Sequence, residues 1–277
     1  MINILTDSTA DLSPNLLKQH RIETIPMVIQ LDGQTYKDGS EINPEMLFEE
    51  VRRTGRYPTT SAPSPGDFVR FFDRKGPSIY LGVSSKLSTT FRNAQLAAKE
   101  MGYQALDLID SLSFSTGYGQ VALKAAEWRD AGMGFYELGQ RIRELITRTR
   151  GIFILDTLDY LYHGGRCSSI EKFFASVLKI YPFLNVRQDG TLGILQKVRG
   201  SRFKAVNALL NHFKEQLTTI NISRIIITHL NCEDEANYLL EQIKAVGRPI
   251  EILTAQVGCV LATHSGPKPL GIAYTID

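Results

Sequence analysis

Short apolar segments that alternate with helical patterns constrain the fold of the first half of this 277-residue chain. Ile2–Thr6, Ser78–Val83 and Ala105–Asp110 are mostly apolar, and helical patterns with apolar residues three and four apart occupy much of the sequence between and after them. A strand that is apolar on both faces is typical of a parallel sheet that helices cover on each side. We therefore predict an α/β fold whose N-terminal domain has three layers, α/β/α, around a parallel sheet.

The second half mixes hairpins with crossovers. Phe183–Arg187 and Thr191–Lys197 flank Asp189-Gly190, which predicts a hairpin, as does Asp32-Gly33 between Thr24–Leu31 and Gln34–Lys37. We predict a C-terminal two-layer α/β domain with a mixed sheet, and we place the domains at residues 1–150 and 151–277. Other predicted elements of that domain are a helix over Ser169–Ile180 and strands over Gly151–Leu155, Ile222–His229, Ile250–Ala255 and Leu270–Ile276.

Two hydroxyl-rich segments, Pro58–Pro65 and Ser84–Thr90, each precede an amphipathic helical pattern; the second helix is predicted over Leu87–Met101. The first turn of a helix has free N–H groups that suit an anion. Helix capping alone explains either segment, whereas the occurrence of two favours a shared anion site.

Composition and motifs argue against several classes of function. The net charge of +2 argues against nucleic-acid binding as the main role, and no apolar run approaches the roughly 20 residues of a membrane span. The sequence contains no Gly-x-Gly-x-x-Gly, no Gly-x-x-x-x-Gly-Lys-Ser/Thr and no Gly-x-Ser-x-Gly. A dinucleotide enzyme, a P-loop enzyme and a serine hydrolase of that type are therefore disfavoured.

Cysteine usage and the N-terminus indicate a cytoplasmic protein. Cys167, Cys232 and Cys259 are odd in number and lack metal-ligand spacing, and Met1–Asp7 does not resemble a signal peptide. Cys259 lies in the apolar stretch Val257–Ala262, which favours a packing role. We expect no metal.

Three further segments keep two interpretations each. Asp7-Ser8-Thr9 caps a turn, or it faces a ligand crevice at the end of the first strand. Arg166 braces a domain interface or contacts a ligand. His264-Ser265-Gly266-Pro267 is a plain connector, or it contributes His264 to a site.

Six motifs in order along the chain resemble the DegV family. They are Thr6–Leu12, Thr60–Pro65, Ser84–Thr90, Gly164–Arg166, Lys197–Arg199 and His264–Pro267. The resemblance implies a two-domain α/β fold and a bacterial cytoplasmic protein. It also implies a non-catalytic role, in which one long-chain fatty acid binds between the domains. The resemblance further implies that the carboxylate is presented to a separate fatty acid kinase, which makes the acyl phosphate.

The resemblance also implies the site residues. The family's carboxylate-holding threonine and serine match Thr60 and Ser88, and its arginine and histidine match Arg166 and His264. We add Ser61 and Thr89 to the expected ligand-binding residues, with the Thr89 N–H as a third donor. No catalytic residue and no cofactor are expected beyond the fatty acid ligand. Ile29, Ile180 and Phe183 are candidates to contact its tail.

This chain departs from the family pattern at three of these motifs. Thr89 stands where the family usually has glycine, Ala62 where it has glutamine, and His163 where it has arginine. Thr89 is expected to narrow the anion pocket or to change how closely the backbone approaches it.

Two alternative functions remain open on sequence alone. The same helix N-termini suit an enzyme that acts on a small phosphorylated or hydroxy compound, with His264 as its base. A regulatory module would instead dock an acidic partner through the basic residues Lys197, Arg199, Arg202 and Lys204.

Overall fold

The computed structural model describes residues 1–102, 105–166 and 180–277. Cys167 and all but the last residue of the helix predicted over Ser169–Ile180 lie outside these ranges. The strands of the described residues are β1 (Asn3–Asp7), β2 (Ile22–Ile25), β3 (Val28–Leu31), β4 (Gln34–Lys37), β5 (Thr59–Ser61), β6 (Ser78–Gly82), β7 (Leu106–Asp110), β8 (Thr149–Ile154), β9 (Ile180–Val186), β10 (Leu192–Arg199), β11 (Arg224–His229), β12 (Glu251–Gln256) and β13 (Leu270–Thr275).

The described helices are α1 (Pro14–His20), α2 (Pro44–Thr54), α3 (Pro65–Phe72), α4 (Thr90–Met101), α5 (Thr116–Asp130), α6 (Phe135–Arg148), α7 (Asp159–His163), α8 (Arg202–Leu217), α9 (Glu233–Lys244) and α10 (Cys259–Ser265). Helices α1, α2 and α3 begin at a proline that follows a capping side chain, provided by Ser13, Asn43 and Ser64. Proline suits the first helical position because its missing N–H would have no partner there. None of the described helices is long and apolar enough to cross a membrane.

The N-terminal domain is built on a parallel sheet with the strand order β2-β1-β6-β7. Alternate residues of β1 face opposite layers: Ile4 packs in a cluster with α5 and α6, and Leu5 packs with α3 and α4. The three-layer α/β/α prediction is therefore confirmed.

The C-terminal domain is built on a sheet with the order β10-β9-β8-β13-β11-β12. β11 and β12 are parallel and the other neighbours are antiparallel, so the mixed-sheet prediction is also confirmed. Helices α8 and α9 bury one face of this sheet, and α5 of the N-terminal domain contacts strands β8, β11 and β13. The division after residue 150, which falls inside β8, stays a prediction.

The single strand predicted over Thr24–Leu31 is wrong. The chain forms β2 and β3 there, and these strands belong to different sheets. Pro26, which lies between them, has no N–H to continue a ladder. The predicted hairpin at Asp32-Gly33 is confirmed, with positive φ at both turn residues.

A small sheet with the order β4-β3-β5 joins the two halves of the chain. Its apolar residues, including Ile29 of β3, pack in one cluster with Phe48 of α2 and Val260 of α10. Of the two interpretations of His264–Pro267, the plain connector does not fit its first half, because His264 and Ser265 belong to the end of α10. The sequence patterns did not reveal this small sheet.

Candidate functional site

A cavity lies between the domains, next to the carboxyl ends of β1 and β6. Ligands of open α/β sheets bind at this edge, where the strand order reverses direction, and β1 and β6 flank that point here. The space comprises about 630 Å³, a figure that includes its open mouth. Much of its lining is apolar, from residues of both domains that include Leu87, Phe114, Phe153, Leu155, Leu161 and Leu192.

Thr60 and His264 form the central polar contact of this cavity. Thr60 lies in β5, and its Oγ1 is 2.9 Å from Nε2 of His264 at the end of α10. Burial, together with the charge of Arg166, lowers the pKa of His264 to about 3. The imidazole is therefore neutral at neutral pH. A group with so low a pKa is a weak general base, which disfavours the alternative of an enzyme with His264 as its base.

Two buried aspartate side chains hold the other end of α10. The Gly258 N–H donates to Asp11 Oδ1 at 2.9 Å, and the Cys259 N–H donates to Asp38 Oδ1 at 3.1 Å. Burial is the main cause that raises the pKa of Asp11, to about 8, and that of Asp38. Both aspartates belong to the first half of the chain, so they fix the position of the helix that carries His264. Cys259 itself is buried, as predicted.

Ser88 lines the cavity and also bonds the first residue of α4. Its Oγ lies 2.7 Å from Oγ1 of Thr90 and accepts the Thr90 N–H at 3.2 Å. Helix α4 begins at Thr90 rather than at Leu87 as predicted, because a turn closed by Ser84 precedes it. The hydroxyl that bonds the first residue of α4 is therefore also a lining group of the cavity, and its role in holding a ligand stays a prediction.

Arg166 brings a positive charge to the cavity. Its Nε donates to the carbonyl of Leu87 at 3.1 Å, and its Nη1 donates to the carbonyl of Gly164. Burial lowers the pKa of Arg166, and within the described residues no carboxylate pairs with it. Among the described residues its hydrogen-bond partners are neutral carbonyls, so the guanidinium retains its charge for an anionic ligand.

The structure therefore brings four of the six expected site residues together: Thr60, Ser88, Arg166 and His264 all line the cavity. Ser61 and Thr89 are not among the lining residues. Ser61 follows Thr60 in β5, so its side chain points to the opposite face, and Thr89 is exposed. The roles of Ser61 and Thr89 stay predictions.

The apolar lining is the part that sequence reasoning missed. Ile29 and Phe183 pack in other clusters and do not line the cavity. Phe153 and Leu155, two apart at the end of β8, do line it. The sequence predicted a strand over Gly151–Leu155, but it did not show which layer each face of this strand meets.

The segment Asp7-Ser8-Thr9 combines both of its interpretations. Thr9 lines the cavity, while the carboxylate of Asp7 is fully buried behind it. Asp7 accepts hydrogen bonds from the hydroxyls of Thr9, Tyr80 and Tyr118 and from the N–H groups of Thr9 and Val83. Asp7 therefore holds together the loops that form this edge of the cavity.

The alternative of a basic docking face does not hold at one of its four residues. Arg202 is largely buried and forms ion pairs with Asp156 and Glu235, so it connects α8 to α9 and to the loop after β8. Its guanidinium is not free to dock an acidic partner.

Comparison with known proteins identifies the family. The family model described as the DegV family matches residues 1–277. The chain belongs to the DegV family. It is similar to a DegV domain-containing protein of Caldanaerobacter subterraneus subsp. tengcongensis, with 32% identity over 277 residues, which cover 99% of this chain and 98% of the relative.

Two solved structures show how widely the DegV fold is shared. A DegV family protein from Thermus thermophilus, described as binding fatty acid, has a TM-score of 0.90 and 31% identity, with 99% of both chains covered. The Streptococcus pneumoniae fatty acid kinase (Fak) B3 protein loaded with linoleic acid has a TM-score of 0.88 and 24% identity, with 100% of both chains covered. The second likeness shows the fold alone.

Proposed function

We propose that this DegV protein binds one long-chain fatty acid in the interdomain cavity and presents its carboxylate to a fatty acid kinase. One observation carries the proposal: an apolar cavity has polar side chains that converge at one end. The side chains of Thr60 and His264 are hydrogen-bonded to each other, and the charge of Arg166 lowers the pKa of His264. Arg166 also donates to the carbonyl of Leu87, the residue before Ser88. The description of the Thermus thermophilus relative as a fatty-acid-binding protein supports the same ligand.

Burial of the tail supplies most of the affinity. Each buried methylene contributes about 0.8 kcal/mol, so a tail of about fourteen methylenes gains roughly 11 kcal/mol before ordering costs. The polar end then has to orient the carboxylate more than to bind it. The hydroxyls of Thr60 and Ser88 suit this task, because neutral donors leave a carboxylate oxygen more nucleophilic than a bidentate arginine pair would.

Presentation to a kinase is consistent with the chemistry of the site. A carboxylate is already ionised at neutral pH, so it attacks a phosphoryl donor without a base, and the low pKa of His264 is no obstacle. The protein contributes position, and the partner contributes the phosphoryl donor. A structure of the same fold is described as a fatty acid kinase B3 protein.

Native mass spectrometry of the protein purified from a bacterial host, together with extraction of any bound lipid, tests the proposed ligand. We expect native mass spectrometry to show one fatty acid per chain, because the buried tail dissociates slowly. Delipidated protein should take up added palmitate. A protein that carries no lipid and also fails to bind palmitate contradicts the proposal.

The double variant Thr60→Val with Ser88→Ala tests the polar end. Both substitutions remove a hydroxyl with little change in shape. We expect palmitate binding to weaken by about tenfold, and acyl phosphate formation with a fatty acid kinase to fall by about a further hundredfold, because the carboxylate loses its orientation.

Thr59→Val with Ser85→Ala is the matched control, since both side chains are exposed and neither lines the cavity. We expect both measurements to stay at the wild-type level. Equal losses of binding and transfer in the cavity variant would show that the carboxylate lies elsewhere.

A further inference from the structure

A second hollow continues the cavity beyond two aromatic rings. It comprises about 500 Å³ with its open side included, and it shares Phe114, Phe153, Leu261 and Ser265 with the first cavity. The rings of Phe114 and Phe153 meet edge to face, with centroids 5.4 Å apart. Hence any chain that extends from the first space into the second has to pass these two rings.

Small residues of the mixed sheet create this hollow. Gly271 of β13 lies opposite Phe153 of β8, and Ala273 lies opposite Gly151. All four face the N-terminal domain, because residues two apart in a strand share a face. Buried layers normally fill such positions with interdigitating side chains. Here they leave space between the sheet and α5, and α5 itself presents Gly117.

The polar groups of the hollow are already paired. The hydroxyls of Thr116 and Thr228 are hydrogen-bonded to each other, and Ser115 Oγ donates to Asp11 Oδ2 at 2.6 Å. A methylene chain that enters this space therefore displaces no hydrogen bond of these side chains. The hollow suits the apolar end of a long ligand rather than a second polar group.

We propose that the Phe114–Phe153 pair divides the binding site into a proximal compartment, which every bound acid fills, and a distal compartment over Gly151, Gly271 and Ala273. The distal compartment sets the longest tail that the protein accepts. This inference rests on the proposed function, since it assigns the terminal methylenes of the same ligand to the second hollow.

Ala273→Leu tests the inference, because it fills the distal compartment from a position that already carries a Cβ. We expect the affinity for laurate to stay within about twofold of the wild-type value. Stearate binding should weaken by roughly fourfold for each methylene that loses its place, so by about 60-fold if three are excluded. The measurement is displacement of a fluorescent fatty acid by each acid, and Ala273→Val provides a milder variant with the same expected order.

Val260→Leu is the matched control, since Val260 lines only the proximal compartment. We expect this substitution to weaken the binding of laurate and of stearate to the same extent. An Ala273→Leu or Ala273→Val protein that remains folded and treats both acids equally overturns the two-compartment inference. Wild-type protein that binds neither acid overturns the proposed function instead, so the two failures are distinguishable.

Discussion

Gly164→Ala should separate His264 from Thr60 and disable the polar end of the site. A Cβ at residue 164 would lie 2.1 Å from Nδ1 of His264 and 2.9 Å from the carbonyl oxygen of Tyr160. His264 is also half-buried, so its ring has little room to move away. We expect overpacking to cost about 1–3 kcal/mol of unfolding free energy. Acyl phosphate formation should fall by at least about tenfold, because Thr60 loses the partner that orients its hydroxyl.

Two other glycines provide controls for this substitution. Gly134→Ala places a Cβ in open space at an ordinary φ. Its free energy of unfolding and its rate of acyl phosphate formation should therefore match those of the wild type. Gly165→Ala also meets no atom but has a φ of +67°, so it should cost about 1 kcal/mol with little loss of transfer. Denaturation and a coupled kinase assay measure both effects. A Gly164→Ala protein that behaves like the Gly165→Ala protein would contradict the proposed clash.

The parts of the fold that depend on local patterns were predictable from the sequence. Ser78–Val83 is apolar at nearly every position, so its place in a covered parallel sheet followed from composition alone. The turn at Asp32-Gly33 followed from residues that tolerate positive φ. The polar end of the site was predicted through family motifs, and the structure brings Thr60 and His264 together although 204 residues separate them.

The remaining features depend on contacts between distant segments. The division of Thr24–Leu31 into two strands requires the small sheet to exist, and that sheet packs on a helix from the other end of the chain. Likewise, the sequence around Phe114 and Phe153 indicates ordinary core residues, because the contact between their rings exists only once the two domains pack together. The low pKa of His264 arises from burial and from Arg166, and neither is visible in a sequence window.

Asp7→Ala should produce the largest loss of stability among the variants considered. The Asp7 side chain is fully buried and accepts five hydrogen bonds, three from hydroxyls and two from backbone N–H groups. Each buried donor that loses its partner costs about 1–3 kcal/mol. We therefore expect a loss of about 4 kcal/mol or more in unfolding free energy, measured by chemical denaturation.

A double-mutant cycle with Tyr80→Phe separates lost hydrogen bonds from lost packing. Tyr80→Phe alone removes one donor at 3.1 Å from Asp7 Oδ2 and should cost about 1 kcal/mol, because the carboxylate keeps its other partners. In the Asp7→Ala background the same change should be neutral or stabilising, since it removes a hydroxyl that has no acceptor. Equal costs of Tyr80→Phe in both backgrounds would show that the carboxylate contributes by filling space. The expected sign change would instead show that a buried, fully bonded aspartate holds the loops after β1 and β6, including Thr9 and Val83, against the cavity.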